Sequence, residues 1–407
     1  MHYDLVFEGG GAKGMVFAGA MKEFEARGHT YDRLLGTSAG AITATFLAAE
    51  YSSAEILAAL DETEDGKPVF ATFMGKPPLV DDAALADSAT LKALRQIDIP
   101  LLPSGIEDKV DVWLTKTLMR LAPNLFSLIE QGGWFVADSF ISWMQRKLDE
   151  GQFRGKPRNF SQMTLNEFYQ ATEGRELSVV AANTTAGKMM VLNHTTAPDL
   201  PVVWAVRMSM SIPMVWPEVV WQADWGTYMN KPPESIVGNR LVDGGLLSNF
   251  PIELMICEEA YATQLMGPKA ANRVIGMLID ESKDVDGAPP PANAKDESGF
   301  DLGQLQLAQR LNRLVNTATG AHDKMVIEAY DQMVVRLPAK GYGTTEFDMS
   351  EERRAALIRA GERAMRSYLD FRDQASFGLS FSAEPASSYE VSLAGHADKV
   401  TTQIFDW

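Results

Sequence analysis

The sequence predicts an α/β protein with a mainly parallel central β-sheet. Two strand–turn–helix units follow each other within the first 50 residues. In the first, an apolar strand (3–7) enters a glycine-rich turn and an amphipathic helix (15–27); in the second, a strand (32–36) enters a tight turn and a helix of small residues (41–50). Strands that alternate with helices in this way usually lie parallel in one sheet.

The rest of the chain predicts one domain over residues 1–375 and a C-terminal tail over 376–407. Prolines separate helical segments between residues 66 and 160, which favours a helical cap inserted into the domain. The polar, proline-rich stretch 281–300 predicts a mobile surface loop. Regular patterns resume after the cap, as strands at 177–182, 189–193 and 273–279 and as helices at 302–315 and 351–371.

The charge balance argues against nucleic acid as a partner. The chain has 54 acidic and 37 basic side chains, a net charge of -17, whereas phosphate backbones are bound by clustered cations. Contact with an anionic membrane would need a local basic patch or an apolar anchor.

No metal, cofactor or disulfide is expected. The single cysteine, Cys257, excludes an internal disulfide and a cysteine-built metal site, and is typical of a reducing compartment. The chain has 5 histidines, none within four residues of another. The N-terminus lacks a basic, apolar leader, and no apolar run reaches about 18 residues. We therefore expect a cytoplasmic protein, peripheral at membranes if it acts there; leaderless export and the oligomeric state stay open.

A GxSxG pentapeptide, Gly36-Thr37-Ser38-Ala39-Gly40, lies between the second strand and its helix. In that context the backbone turns sharply at the serine, which exposes its hydroxyl as a nucleophile. Gly36 and Gly40 provide the space that such a turn needs. Ser38 is therefore the candidate nucleophile.

The glycine-rich turn Gly9-Gly10-Gly11-Ala12-Lys13-Gly14 is the candidate oxyanion site, because unhindered N–H groups lie there at a helix N-terminus. Gly9, Gly11 and Gly14 also satisfy the GxGxxG pattern of dinucleotide-binding enzymes. Such a site would need an acidic residue closing the second strand, whereas Asp32 opens it. A dinucleotide-binding enzyme that uses this turn therefore stays an alternative.

No histidine stands out as the base that would activate Ser38. Position 38 is too early for the nucleophile of an α/β-hydrolase triad, and His194 and His322 have the context of ordinary surface or packed residues. A short apolar strand delivers Asp243 into a turn with Gly244 and Gly245. Such a turn is often only structural, but it makes Asp243 the candidate base.

Four ordered blocks resemble the patatin-like phospholipase family: GGGAKG (9–14), GTSAG (36–40), RMSMSIP (207–213) and DGG (243–245). The resemblance covers 3–60 and 177–280 well and continues more weakly to about residue 370. It implies a three-layer α/β/α hydrolase. The long region before 177 and the stretch 215–239 depart from compact members, so they leave the substrate preference open.

The resemblance also implies roles for individual residues. Ser38 and Asp243 would form a Ser-Asp dyad, without histidine, that cleaves fatty-acyl esters of the phospholipase A or lysophospholipase type through an acyl-enzyme. Backbone N–H groups of the glycine loop would bind the oxyanion, and small residues would support the turns; these are Gly9, Gly10, Gly11 and Ala39 for the oxyanion hole, and Gly14, Gly36, Gly40, Gly244 and Gly245 in support. Lys13 would orient the loop, meet a phosphate or be solvated.

Two segments are candidates for contact with membrane phospholipid or another acyl lipid. Trp216, Trp221 and Trp225 form an aromatic cluster before Asp243, and tryptophan favours the membrane–water boundary. The helix at 351–371 carries five arginines on one side. Packing of both segments inside the protein is the alternative. An activator-dependent toxin or effector, which would require a protein activator, and a non-catalytic binding module also stay open.

Overall fold

The computed structural model describes residues 1–64, 66–75, 77, 88, 91–92, 112–117, 123–258, 260–268, 273–290 and 330–379. An 8-stranded sheet lies at its centre. In chain order its strands are β1 His2–Phe7, β2 Thr30–Thr37, β3 Leu177–Asn183, β4 Lys188–Leu192, β5 Val219–Val220, β6 Arg240–Asp243, β7 Arg273–Asp280 and β8 Val334–Pro338.

The sheet is mainly parallel, as predicted. Its order is β8-β7-β1-β2-β3-β6-β5, and β4 also pairs with β3. The four pairings from β8 to β3 are parallel, while β4, β5 and β6 join in antiparallel pairs. Two short hairpins lie outside the sheet, Thr63–Glu64 with Lys67–Pro68 and Gln152–Phe153 with Lys156–Pro157.

Helices cover both faces of the sheet. They are α1 Val16–Ala26, α2 Ala39–Ala48, α3 Ser53–Leu60, α4 Val69–Thr72, α5 Pro123–Gln131, α6 Asp138–Asp149, α7 Leu165–Ala171, α8 Val202–Ser209, α9 Glu253–Ile256, α10 Ala260–Met266 and α11 Glu351–Leu379. Alternate strand residues enter different cores: Leu5 and Phe7 pack in the larger cluster, Val6 in a second cluster with residues of α9 and α10. This gives the three layers of the predicted fold class and explains why β1 is apolar on both sides.

Helices α1 and α11 cross with their backbones almost in contact. A Cβ atom on Gly19 would lie 1.9 Å from the Ile358 carbonyl oxygen, and one on Gly361 would lie 2.1 Å from the Val16 carbonyl oxygen. Only glycine leaves room for so close an approach. Helix α11 is therefore packed into the domain.

Two arginines of α11 form ion pairs with other parts of the domain. Arg353 is 2% exposed and binds Glu346, and Arg366 donates to Glu23 of α1 at 2.8 Å. Arg359, Arg363 and Arg366 are exposed, so lipid contact by this helix stays a prediction. The helix also extends to Leu379, beyond the predicted start of the tail at residue 376.

The described part of the predicted cap packs directly on the main core. The Trp143 ring lies 5.5 Å from that of Phe46 in α2, and its indole N–H donates to Glu62. Residues 281–290, the first half of the predicted mobile loop, are held in part by a hydrogen bond from Arg353 to the Pro289 carbonyl. Residues 291–300, the predicted helix at 302–315 and residues 380–407 lie outside the described residues.

Candidate active site

Ser38 occupies the turn between β2 and α2 with a φ of 53° and a ψ of -120°. An L-residue rarely adopts this conformation, so it persists only where the surroundings impose it. A Cβ atom on Gly36 would lie 2.3 Å from the Gly40 carbonyl oxygen, and one on Gly40 would lie 2.3 Å from that of Phe7. Both predicted glycines are thus required by close backbone contact, and the Ser38 side chain lines a cavity.

Asp243 is the last residue of β6 and is 5% exposed. Its carboxylate accepts a hydrogen bond from the Gly245 N–H at 2.8 Å. Burial raises its pKa to about 7, although hydrogen bonding with Ser38 and with the Gly245 N–H acts in the opposite direction. The structure therefore brings Ser38 and Asp243 together, and the carboxyl group changes its charge near neutral pH.

The double glycine after Asp243 is also required by close contacts. A Cβ atom on Gly244 would lie 2.5 Å from the Val180 carbonyl oxygen, and one on Gly245 would lie 2.7 Å from Asn249 Oδ1. The turn thus packs tightly on β3, which fixes the direction of the Asp243 side chain.

The glycine loop lies beside the Ser38 turn. A Cβ atom on Gly14 would lie 2.6 Å from that of Ala39, and one on Gly9 would lie 3.1 Å from that of Ser38. Within the described residues, the N–H groups of Gly10, Gly11 and Ala39 donate to no other backbone group. These three are available to an oxyanion.

Gly9 corrects one part of the prediction. Its N–H donates to the Asn249 carbonyl at 3.1 Å, so it is not free to bind an oxyanion. The absence of a side chain is what matters at Gly9, since a Cβ atom there would lie 2.2 Å from Asn249 Oδ1.

Lys13 is 4% exposed and forms an ion pair with Glu281. This position agrees with a role in orienting the loop, and it corrects the alternative of a solvated lysine. The neighbouring Ala12 N–H donates to the Thr344 carbonyl at 2.9 Å. The loop is therefore anchored to two segments from the last third of the chain.

Sequence reasoning missed two residues that support the loop. The Asn249 side-chain amide donates to the Gly9 carbonyl at 2.9 Å and to Glu8 at 3.1 Å. Glu8 in turn accepts the Ile279 N–H at 2.6 Å. Their sequence signals were an acidic residue directly after a buried strand and an asparagine six positions after Asp243. Both link the loop to neighbouring strands.

The cavity beside Ser38 is almost entirely apolar. It is lined by residues of the glycine loop, the first four helices and two later segments: Gly11, Gly14, Met15, Ala18, Ser38, Ala39, Ile42, Thr43, Phe46, Ile56, Leu60, Phe70, Phe73, Met210, Ile212, Trp216 and Phe347. Such a lining suits a hydrocarbon chain, because apolar surface gains free energy when it leaves water.

The three predicted lipid-contact tryptophans are buried, at 1% exposure for Trp216, 0% for Trp221 and 6% for Trp225. Trp221 and Trp225 pack on each other in the core, which corrects the prediction that they meet a membrane. Large aromatic side chains suit a core as well as an interface, so sequence alone did not separate the two. Trp216 lines the cavity, where a bound chain could reach it.

His194 lies apart from this site, stacked on Tyr169 at 3.7 Å and beside Glu176; His322 lies outside the described residues. Among the described residues, no group of three His, Cys, Asp or Glu side chains could hold a metal ion. In that same part of the chain, no helix is both long and apolar enough to cross a membrane.

Known proteins have sequences similar to that of this chain. A family model described as Patatin-like phospholipase matches residues 5–256. The uncharacterized protein YqhO of Bacillus subtilis is 27% identical over 379 residues, covering 91% of this chain and 98% of that protein. The "Probable lipid hydrolase 463L" of Invertebrate iridescent virus 6 is 28% identical over 126 residues, covering 31% of this chain and 36% of that protein.

Among solved structures, VipD from Legionella pneumophila is similar to this chain with a TM-score of 0.43 and 17% sequence identity. The match covers 91% of this chain and 67% of VipD.

Proposed function

Because the chain belongs to the patatin-like phospholipase family, we propose that it hydrolyses fatty-acyl esters of phospholipids or lysophospholipids, with Ser38 as nucleophile and Asp243 as base. One observation carries the proposal. A serine in a strained turn opens into an apolar cavity beside a buried carboxyl group whose pKa is about 7. A base that ionises near the working pH is suited to accept a proton and return it.

The proposed reaction has two steps. The Asp243 carboxylate accepts the proton of the Ser38 hydroxyl while Oγ attacks the ester carbonyl carbon. The tetrahedral oxyanion accepts hydrogen bonds from N–H groups of Gly10, Gly11 and Ala39. The C–O bond to the alcohol then breaks, and Asp243 returns its proton to that alcohol. In the second step, water gives a proton to Asp243 while its oxygen attacks the acyl carbon. The bond from that carbon to Ser38 Oγ then breaks, Asp243 returns the proton to Oγ, and the fatty acid leaves.

The acyl chain would lie along α2. Ala39, Ile42 and Phe46 line the cavity on successive turns of this helix. A helix rises about 1.5 Å per residue, so the path from Ser38 to Phe46 is about 12 Å long. This is the length of an extended chain of many methylenes, far beyond an acetyl group, and it favours fatty acids over short acids.

Lipid analysis tests the proposed activity. The purified protein is incubated with phosphatidylcholine, lysophosphatidylcholine and diacylglycerol, and fatty acids and lysolipids are measured by mass spectrometry. We expect release of fatty acid by the wild type and its loss in Ser38→Ala and Asp243→Asn. Ser178→Ala, a buried serine of β3, and Asp224→Asn, an exposed aspartate, are the matched controls.

The outcomes separate the alternatives. Fatty-acid release by Ser38→Ala at the wild-type rate would contradict the nucleophile. Activity that appears only after a cell extract is added would instead indicate the activator-dependent effector. Family membership favours the hydrolase over the dinucleotide-binding enzyme, and a titration with nicotinamide dinucleotide checks that choice.

A further inference from the structure

The end of helix α8 and the two residues after it bind the backbone of both residues of the proposed dyad. The Ser209 hydroxyl accepts a hydrogen bond from the Ser38 N–H at 2.9 Å. The Ser211 carbonyl accepts one from the Asp243 N–H at 2.9 Å. Ser38 directly follows β2, and Asp243 is the last residue of β6. Strand β3 lies between these two strands in the sheet. One short segment therefore links the nucleophile and the base across an intervening strand.

The bond from Ser38 to Ser209 satisfies a donor that has no partner in its own helix. Ser38 precedes the first residue of α2, and N–H groups at a helix N-terminus lack intrahelical acceptors. Both side chains are buried, at 5% exposure for Ser38 and 0% for Ser209, so the Ser209 hydroxyl takes the place that water has at an exposed helix end. The strained turn at Ser38 is thus fixed from outside its own element.

Arg207 fixes the segment in turn. Its guanidinium is buried, contacts the Ser211 hydroxyl and donates to the Pro217 carbonyl at 3.0 Å. The Ser211 hydroxyl also donates to the Arg207 carbonyl at 2.5 Å. Residues held by so many internal bonds have little freedom to shift, so the segment can set the separation of Ser38 and Asp243.

We propose that Ser209 is a positioning residue for the nucleophile, whose hydroxyl holds the Ser38 backbone in the turn that directs Oγ toward Asp243. This inference rests on the proposed function of Ser38. Ser209 does not touch substrate in this role; it acts through the Ser38 N–H.

The test is the rate of labelling of Ser38 by a fluorophosphonate, measured from pH 5 to pH 9 together with the melting temperature. The variants are Ser209→Ala and Ser209→Cys, whose sulfur is only a weak acceptor. The matched control is Ser178→Ala, because Ser178 is also buried and accepts a hydrogen bond from Asn193 at 3.1 Å, away from the cavity.

We expect Ser209→Ala to slow labelling by about 10- to 100-fold, since small displacements of a reacting group have effects of that size. Hydrogen bonding with Ser38 lowers the Asp243 pKa, so its weakening moves the pH of half-maximal labelling upward. Ser178→Ala should show the wild-type rate and pH profile even where its melting temperature falls.

Labelling of Ser209→Ala at the wild-type rate, or a loss no larger than that of Ser178→Ala, would overturn the inference. If Ser209→Ala does not fold, Ser209→Cys is judged by the same comparison. Failure of the proposed function looks different, because the wild type itself would then not be labelled at Ser38, or Ser38→Ala would be labelled equally fast.

Discussion

Replacing Asp243 with asparagine should make the folded protein more stable at alkaline pH. Burial raises the Asp243 pKa from its ordinary value of 3.8 to about 7. The folded state therefore holds this proton more tightly than the unfolded state does, and stability falls as pH rises through the window between those values. Asparagine has nearly the same shape and no charge, so Asp243→Asn escapes the loss.

The size of the effect follows from the same two pKa values. One pKa unit corresponds to about 1.4 kcal/mol, so the ionised carboxylate lowers the wild-type free energy of unfolding by about 4 kcal/mol at pH 8.5. At pH 5 the folded protein keeps the proton and the unfolded chain has mostly lost it. The wild-type free energy of unfolding is therefore lowered by only about 2 kcal/mol at that pH. The advantage of Asp243→Asn over the wild type should grow by about 3 kcal/mol between these two pH values.

Urea unfolding followed by tryptophan fluorescence measures this difference. Groups that titrate identically in both proteins cancel in the comparison. The control is Asp224→Asn, an exposed position, which should match the wild type at both pH values. An Asp243→Asn protein no more stable than the wild type at pH 8.5 would refute the reasoning. If the variant were more stable by the same amount at both pH values, the added stability would not come from the ionisation of Asp243.

Three further predictions concern activity. Because the proposed base, Asp243, must be deprotonated, hydrolysis of a soluble ester should rise with pH and reach half its maximum near its pKa of about 7; a flat profile from pH 5 to pH 9 would contradict this. Each methylene bound in the cavity should raise kcat/KM about fourfold, since its burial is worth about 0.8 kcal/mol. Ile42→Phe narrows the cavity, so it should abolish this rise with chain length while leaving the hydrolysis of short esters unchanged. Leu57→Phe is the control and should keep the rise, because Leu57 does not line the cavity. Trp221→Ala should destabilise the fold by about 3–5 kcal/mol and lower activity equally on vesicles and soluble esters; a selective loss on vesicles would restore the membrane role.

The sequence predicted those parts of the site that are built from local contacts. The turn at Ser38 is shaped by glycines two residues away on either side, and the Asp243 turn is shaped by the two glycines that follow it. Strand–turn–helix order likewise predicted the parallel part of the sheet, because neighbouring units in the chain are neighbours in space.

Contacts between distant parts of the chain could not be predicted in this way. Ser209 and Ser38 are separated by 171 positions, and nothing in either local sequence indicates their hydrogen bond. The burial of Trp221 depends on which surfaces surround it, and a single sequence does not specify them. The antiparallel pairing of β6 with β3 was missed for the same reason, since each strand alone is only a short apolar run.

The close crossing of α1 and α11 means that the matched region 5–256 leaves out a helix that packs against it. A protein cut at residue 256 would lose β7, and with it the partner of one edge of β1, as well as the helix that covers Gly19. It would also lose Glu281 and Thr344, which hold the glycine loop. During synthesis on the ribosome, the glycine loop therefore lacks these two contacts until the last third of the chain has been made.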